Sequence, residues 1–182
     1  MAASVLQNCL NCRPAERIRV KSSAYLLRRP KWLSGSGPTD EGVAYLAGCK
    51  SLETLIFGVT PNIKGPGLAA LKALPNLKAL HLQRSGVTDD GLKYLKELKQ
   101  LTTLDLTRCT RLTGVGFSEL KDLNKLTTLD LVGNQLTAEG LKELKELKQL
   151  TSLNLVESKN MTEAIFMELQ EALPKCKILA SR

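Results

Sequence analysis

Apolar side chains recur along this chain in a two-part rhythm. Between Gly91 and Leu106, leucines first fall three apart, at Leu92, Leu95 and Leu98, and then switch to L-x-x-L-x-L at Leu101, Leu104 and Leu106. The first spacing predicts a helix that packs by one apolar stripe and turns its Lys and Glu outward. The second, with its two-residue step, predicts a strand that sends alternate side chains to opposite faces. The unit returns almost intact from Gly140 to Leu155, and more loosely elsewhere.

The position before each Thr-x-x-Gly-like turn counts the units: Pro38, Ile63, Val87, Leu112, Leu136 and Met161, at spacings of 25, 24, 25, 24 and 25. That is an array of six. Its strands are expected at Leu52/Leu55/Phe57, Leu77/Leu80/Leu82, Leu101/Leu104/Leu106, Leu126/Leu129/Leu131 and Leu150/Leu153/Leu155. Helix starts are signalled by Thr39-Asp40, Thr88-Asp89, Thr113, Thr137 and Thr162, whose side chains suit the unpaired N–H groups of a first turn. One such unit cannot bury its own apolar face, so the units must stack. Stacking pairs the strands in parallel and gathers Leu55, Leu80, Leu104, Leu129 and Leu153 into one interior column. A third ladder, Thr60, Ser85, Cys109, Asn134 and Ser158, falls where the chain leaves each strand, where small polar groups can satisfy the backbone. In the last unit a longer apolar helix and an approximate strand read as a C-terminal cap over residues 161–182.

The polar positions of the strands form rows across the opposite face of the sheet. One row is Thr54, Ala79, Thr103, Thr128 and Ser152; the next is Ile56, His81, Asp105, Asp130 and Asn154. Gly58, Gln83, Thr107, Val132 and Val156 flank them, followed by Val59, Arg84, Arg108, Gly133 and Glu157. The threonines fit either ordinary β propensity or a binding surface. Asp105 and Asp130 are expected on adjacent strands about 5 Å apart, where like charges are destabilising unless compensated. Either Arg108 neutralises them or a partner does. The candidate contact surface is therefore Thr54, Ile56, His81, Gln83, Arg84, Thr103, Asp105, Thr107, Arg108, Thr128, Asp130, Ser152 and Asn154.

Composition changes this picture in two places. The net charge of +8 suggests nucleic acid, but seven Lys and Arg against Glu16 alone put +6 of it before residue 38, leaving the array close to neutral. Residues 1–37 read as a basic tail, either an organelle transit segment or a partly ordered cap in which Leu27, Pro30 and Trp32 form a degenerate first strand. The five cysteines form no regular pairing set and no secretory leader or membrane span is evident, which suits free thiols in an intracellular, reducing setting. Cys9-x-x-Cys12 has half of a zinc spacing with no second half, so no metal or cofactor is expected. His81 beside Asp105 invites a catalytic reading, but no nucleophile elbow or phosphate-binding glycine loop accompanies it.

The pattern L-x-x-L-x-L-x-x-(Cys/Asn/Ser)-x-x-(Leu/Val)-Thr-x-x-Gly-Leu, clearest from Leu104 to Phe117, resembles the leucine-rich repeat. It is most similar to the cysteine-containing and ribonuclease-inhibitor-like branches, and the near-identical tandem units resemble short bacterial members. The resemblance covers residues 38–179. It implies a right-handed α/β solenoid with a parallel sheet on its concave face and helices on its convex face, and a non-enzymatic, monomeric module that binds a protein on the concave sheet. The alternatives are a substrate-recognition or adaptor subunit of a larger ubiquitin-ligase-like or signalling complex, or binding of nucleic acid or an acidic surface through the basic tail.

Overall fold

A computed structural model describes residues 18–21 and 39–181. Among these, seven strands form one sheet in chain order: β1 (Ile18–Lys21), β2 (Thr54–Phe57), β3 (Ala79–His81), β4 (Thr103–Asp105), β5 (Thr128–Asp130), β6 (Ser152–Leu155) and β7 (Lys177–Ala180). From β2 to β7 every neighbour is parallel. Their register puts Leu55, Leu80, Leu104, Leu129, Leu153 and Ile178 in one column, the first five of them fully buried. The expected interior ladder is therefore present. The chain is an α/β solenoid of stacked strand–helix units.

The convex segments depart from the expected helices. Short α-helical turns at Asp40–Val43, Asp89–Leu92 and Ala138–Glu143 pass directly into 3-10 helix at Ala44–Gly48, Lys93–Leu95 and Leu144–Glu146. The segments at Pro66–Ala73 and Phe117–Leu120 are 3-10 helix throughout. The leucine spacing is compatible with this winding. Residues three apart eclipse one another at three residues per turn, so Leu68 and Leu71, or Phe117 and Leu120, both reach the core from a 3-10 winding. The final helix, Glu163–Ala172, is α-helical, and its buried residues Ile165 and Leu169 stand four apart instead.

Glycine sets how closely these convex segments approach. A Cβ on Gly140 would lie 2.1 Å from the Thr113 carbonyl oxygen and 2.7 Å from Gly114 Cα. The Gly of Thr-x-x-Gly is thus a contact point between successive backbones rather than a turn residue. Carboxylates complete the joint. Asp40 accepts from the N–H groups of Lys64, Gly65 and Gly67 at 3.0, 3.1 and 2.9 Å, and Asp89 from Thr113 N, Thr113 Oγ1 and Gly114 N at 3.1, 2.7 and 2.8 Å. Thr39, Thr137 and Thr162 cap their own helices, accepting from Gly42, Gly140 and Ile165 N–H groups. Thr88 and Thr113, expected to do the same, instead donate to Lys64 O and to Asp89.

The ladder of small polar residues is buried along its length. Asn134 Nδ2 donates to Leu106 O and Leu131 O, both at 2.9 Å, and the Cys109 thiol donates to Leu82 O at 3.1 Å. These bonds tie the Cys109 and Asn134 strand exits to the preceding unit, whereas the buried Thr60 and Ser158 hydroxyls make no such bond. Cys49 packs half-buried against the core, in the place that Leu98 and Leu147 hold in their units.

The two ends of the sheet are built differently from its middle. Ile18–Lys21, within the stretch read as a tail, pairs antiparallel with β2, Ile18 opposite Phe57 and Lys21 opposite Thr54. The capping strand expected around Leu27, Pro30 and Trp32 lies outside the described residues. At the other end β7, whose sequence fits the strand pattern only loosely, pairs with β6 over four residues, from Ser152–Lys177 to Leu155–Ala180.

Candidate functional site

The polar rows stand in register as the two-residue step requires. Thr54, Ala79, Thr103, Thr128, Ser152 and Lys177 line up across β2–β7, beside Ile56, His81, Asp105, Asp130, Asn154 and Leu179. Thr54, Ile56, His81, Thr103, Thr107, Thr128, Asp130, Ser152 and Asn154 are partly exposed, and Gln83, Arg84 and Arg108 more so. Asp105 is the exception among the candidate residues, at 8% exposure.

Burial by itself pushes the Asp105 carboxyl up, but the hydrogen bonds it accepts outweigh that and hold its pKa at about 2. His81 Nδ1 lies 3.3 Å from Oδ2, Gln83 Nε2 donates to the same oxygen, and the Thr107 N–H donates to Oδ1 at 2.9 Å. Asp130 is satisfied in parallel fashion. It accepts from the Thr107 hydroxyl at 3.1 Å, the Val132 N–H at 3.1 Å and Asn154 Nδ2 at 3.2 Å. The two carboxylates are thus compensated from within the sheet, each turning back on the backbone two residues on.

This corrects the expected role of Arg108. Its Nη2 lies 3.3 Å from Glu157 Oε2, two units away, and neither aspartate receives it. The backbone explains the geometry. Arg84, Arg108 and Glu157 adopt φ of 53°, 55° and 65°, and Gly133 in the same row has φ of 67°. A left-handed residue closes each of these strand exits, and from there the Arg108 side chain reaches Glu157 rather than the aspartate row. Nothing about Arg or Glu in a sequence announces that conformation.

At this rim the sheet forms an open depression of about 470 Å³, lined by Gly58, Val59, Gln83, Arg84, Thr107, Arg108 and Val132. Gln83, Arg84, Thr107 and Arg108 were singled out from the sequence. Val59, Val132 and Glu157 were not, although they stand in the same rows, and that shared row was the available signal. Arg84 makes no side-chain hydrogen bond or ion pair to any described residue. Among the described residues no group of three or more His, Cys, Asp or Glu is placed to hold a metal ion, and Cys9 and Cys12 lie outside them. No described helix is long and apolar enough to cross a membrane.

Comparison with known proteins finds similarity over part of the sequence and over most of the fold. Residues 75–136 match the leucine-rich repeat family. A leucine-rich repeat protein of Leptospira interrogans is similar over 74% of this chain, at 28% identity and a TM-score of 0.55; the matched part is 33% of its own length, so this chain spans about a third of that protein. Internalin C2 of Listeria monocytogenes shares the fold over 78% of this chain and 68% of its own, at 24% identity and a TM-score of 0.51. No curated protein matches the chain.

Proposed function

We propose that this leucine-rich repeat protein is a non-enzymatic interaction module that receives a protein partner on the concave face of its sheet. Leucine-rich repeats are generally protein-interaction modules, and solenoids of this kind present extended surfaces to their partners. The observation that carries the reading is the asymmetry of the two sheet faces. One spends its leucines on the convex segments. The other holds Thr103, Thr128, Ser152, His81 and Asn154 in register and part-exposed, with no described element covering them. Such a surface offers hydrogen bonds and shape rather than aromatic anchors, which fits a polar, modest-affinity contact.

The His81–Asp105 pair lies on this open sheet, and its carboxylate is committed to Gln83 and to the Thr107 backbone as well. A positioning role for His81 follows, rather than a catalytic one. Cys49, Cys109 and Cys176 are free thiols, which favours a reducing, intracellular setting for a monomeric module.

The test is affinity capture from the native cell with two variants that melt like the wild type. Thr128→Arg, on the concave face, should lose the partner, and Lys142→Glu, exposed on the convex side, should keep it. If Thr128→Arg captured the partner as well as wild type, the concave reading would fall.

A further inference from the structure

We infer that the depression beside Arg84 takes a carboxylate side chain from an acidic segment of the partner, an inference that rests on the concave-face reading above. Arg84 and Arg108 occupy the same left-handed position on adjacent units, where Arg84 N donates to Thr107 O and Arg108 N to Val132 O. Those backbone donors are therefore used. What each residue still presents at the rim is its guanidinium.

The two arginines differ in one respect. Arg108 has a carboxylate two units along, Glu157, at 3.3 Å. For Arg84 the position two units along is Gly133, which has no side chain, and the next residue in its row is Arg108, another cation. No described carboxylate lies within ion-pairing distance of Arg84. Glu157 thus shows, inside the molecule, the chemistry that Arg84 lacks. A planar guanidinium fork matches a carboxylate through paired N–H donors.

The surroundings narrow the occupant further. Val59, 41% exposed, gives the depression an apolar wall, so a carboxylate carried on an aliphatic stem and flanked by an apolar residue fits better than a bare ion. The depression is open along the sheet rather than closed around a small molecule, which suits an extended peptide. Arg84 also holds φ of 53°, a backbone state that glycine occupies without strain at Gly133 and that Arg occupies at a cost.

The test uses the full chain with arginine side-chain Nε–Hε groups observed by NMR. The probe is a capped hexapeptide alternating glutamate and valine, with its glutamine counterpart as control. Saturable shifts of the Arg84 signal with the glutamate peptide, weaker with the glutamine peptide, are expected, and in Arg84→Gln, which lacks that signal, the affinity read from the neighbouring Arg108 signal should fall by up to about fivefold. Arg84→Lys should recover part of the affinity. No saturable shift at millimolar peptide, equal binding of the glutamine peptide, or equal displacement by inorganic phosphate would each overturn the assignment. With the cellular partner the two readings separate. Capture lost by Thr128→Arg but unchanged in Arg84→Gln removes the carboxylate site and leaves the concave reading standing, while capture unaffected by either variant removes both.

Discussion

Arg108 reaches over Gly133 to Glu157: its Nη2 lies 3.3 Å from Glu157 Oε2, and a Cβ on Gly133 would meet Arg108 Cγ at 2.9 Å and Glu157 Oε2 at 3.1 Å. A side chain at the residue beneath would crowd the pair. Both partners are about half exposed, so the bridge itself contributes at most about 1 kcal/mol. Gly133→Ala combines a left-handed strain with loss of the bridge and should destabilise by about 1–2 kcal/mol. Arg108→Ala alone should cost under about 1 kcal/mol. Urea midpoints at low salt compare the two, and equal costs would show that the glycine is not the permissive element.

Asp105 should make stability depend on acidity. Its folded pKa of about 2 lies below the ordinary 3.8, so it contributes fully above pH 4 and its contribution is lost as pH falls towards 2. The size is about 2 kcal/mol. Asp105→Asn should lower stability near neutrality and flatten the curve between pH 4 and 2. A variant curve parallel to wild type would show that the carboxylate carries no such linkage. It also follows that loss of binding in an Asp105 variant reports folding before it reports contact.

Gly140→Ala places a methyl group 2.1 Å from a backbone oxygen that has no flexible end to yield. The convex segments must separate, at a cost of about 1–3 kcal/mol or more. Glu139→Ala, one residue away and exposed, should change stability by less than about 0.5 kcal/mol. Chemical denaturation with an unchanged slope would locate the effect in the native state.

Asp89→Ala removes the acceptor of three inter-unit hydrogen bonds, to Thr113 N, Thr113 Oγ1 and Gly114 N. The half-buried donors left behind should cost about 1–3 kcal/mol. Hydrogen exchange at the Thr113 and Gly114 amides should rise in this variant more than at Leu104 in the core. Uniform acceleration would mean that the carboxylate stabilises the array globally rather than holding this joint.

What could be read in the sequence follows from which features a repeat makes periodic. The leucine column from Leu55 to Leu153 was legible because burial demands the same residue type in every unit, and the polar rows followed from the two-residue step. A 3-10 winding is compatible with the strict spacing of Leu92, Leu95 and Leu98, but a step of three also suits an α-helix, so the pattern alone did not separate them. β1 was not legible, since four residues of Ile-Arg-Val-Lys carry too little pattern to specify an antiparallel partner. Proximity in the sequence makes Arg108 one of two candidates to neutralise the aspartates, yet from its left-handed backbone, which no side-chain chemistry encodes, it pairs with Glu157 instead. The compensation of Asp105 and Asp130 is not evident from the pattern because Gln83 and Thr107 reach in from the flanking row, while Asn154 stands in the aspartates' own row and reads there only as a contact residue.

The antiparallel pairing of β1 with β2 gives the array a direction. A further unit would have to add a parallel strand and a convex segment together, and at the β1 edge the hydrogen-bonding groups of β2 already face a strand running the other way. At β7 the backbone continues the parallel order, with Ile178 still in the leucine column. Designed extra units should accordingly be accepted beyond β7 and rejected beyond β1, making this a one-ended template for lengthening.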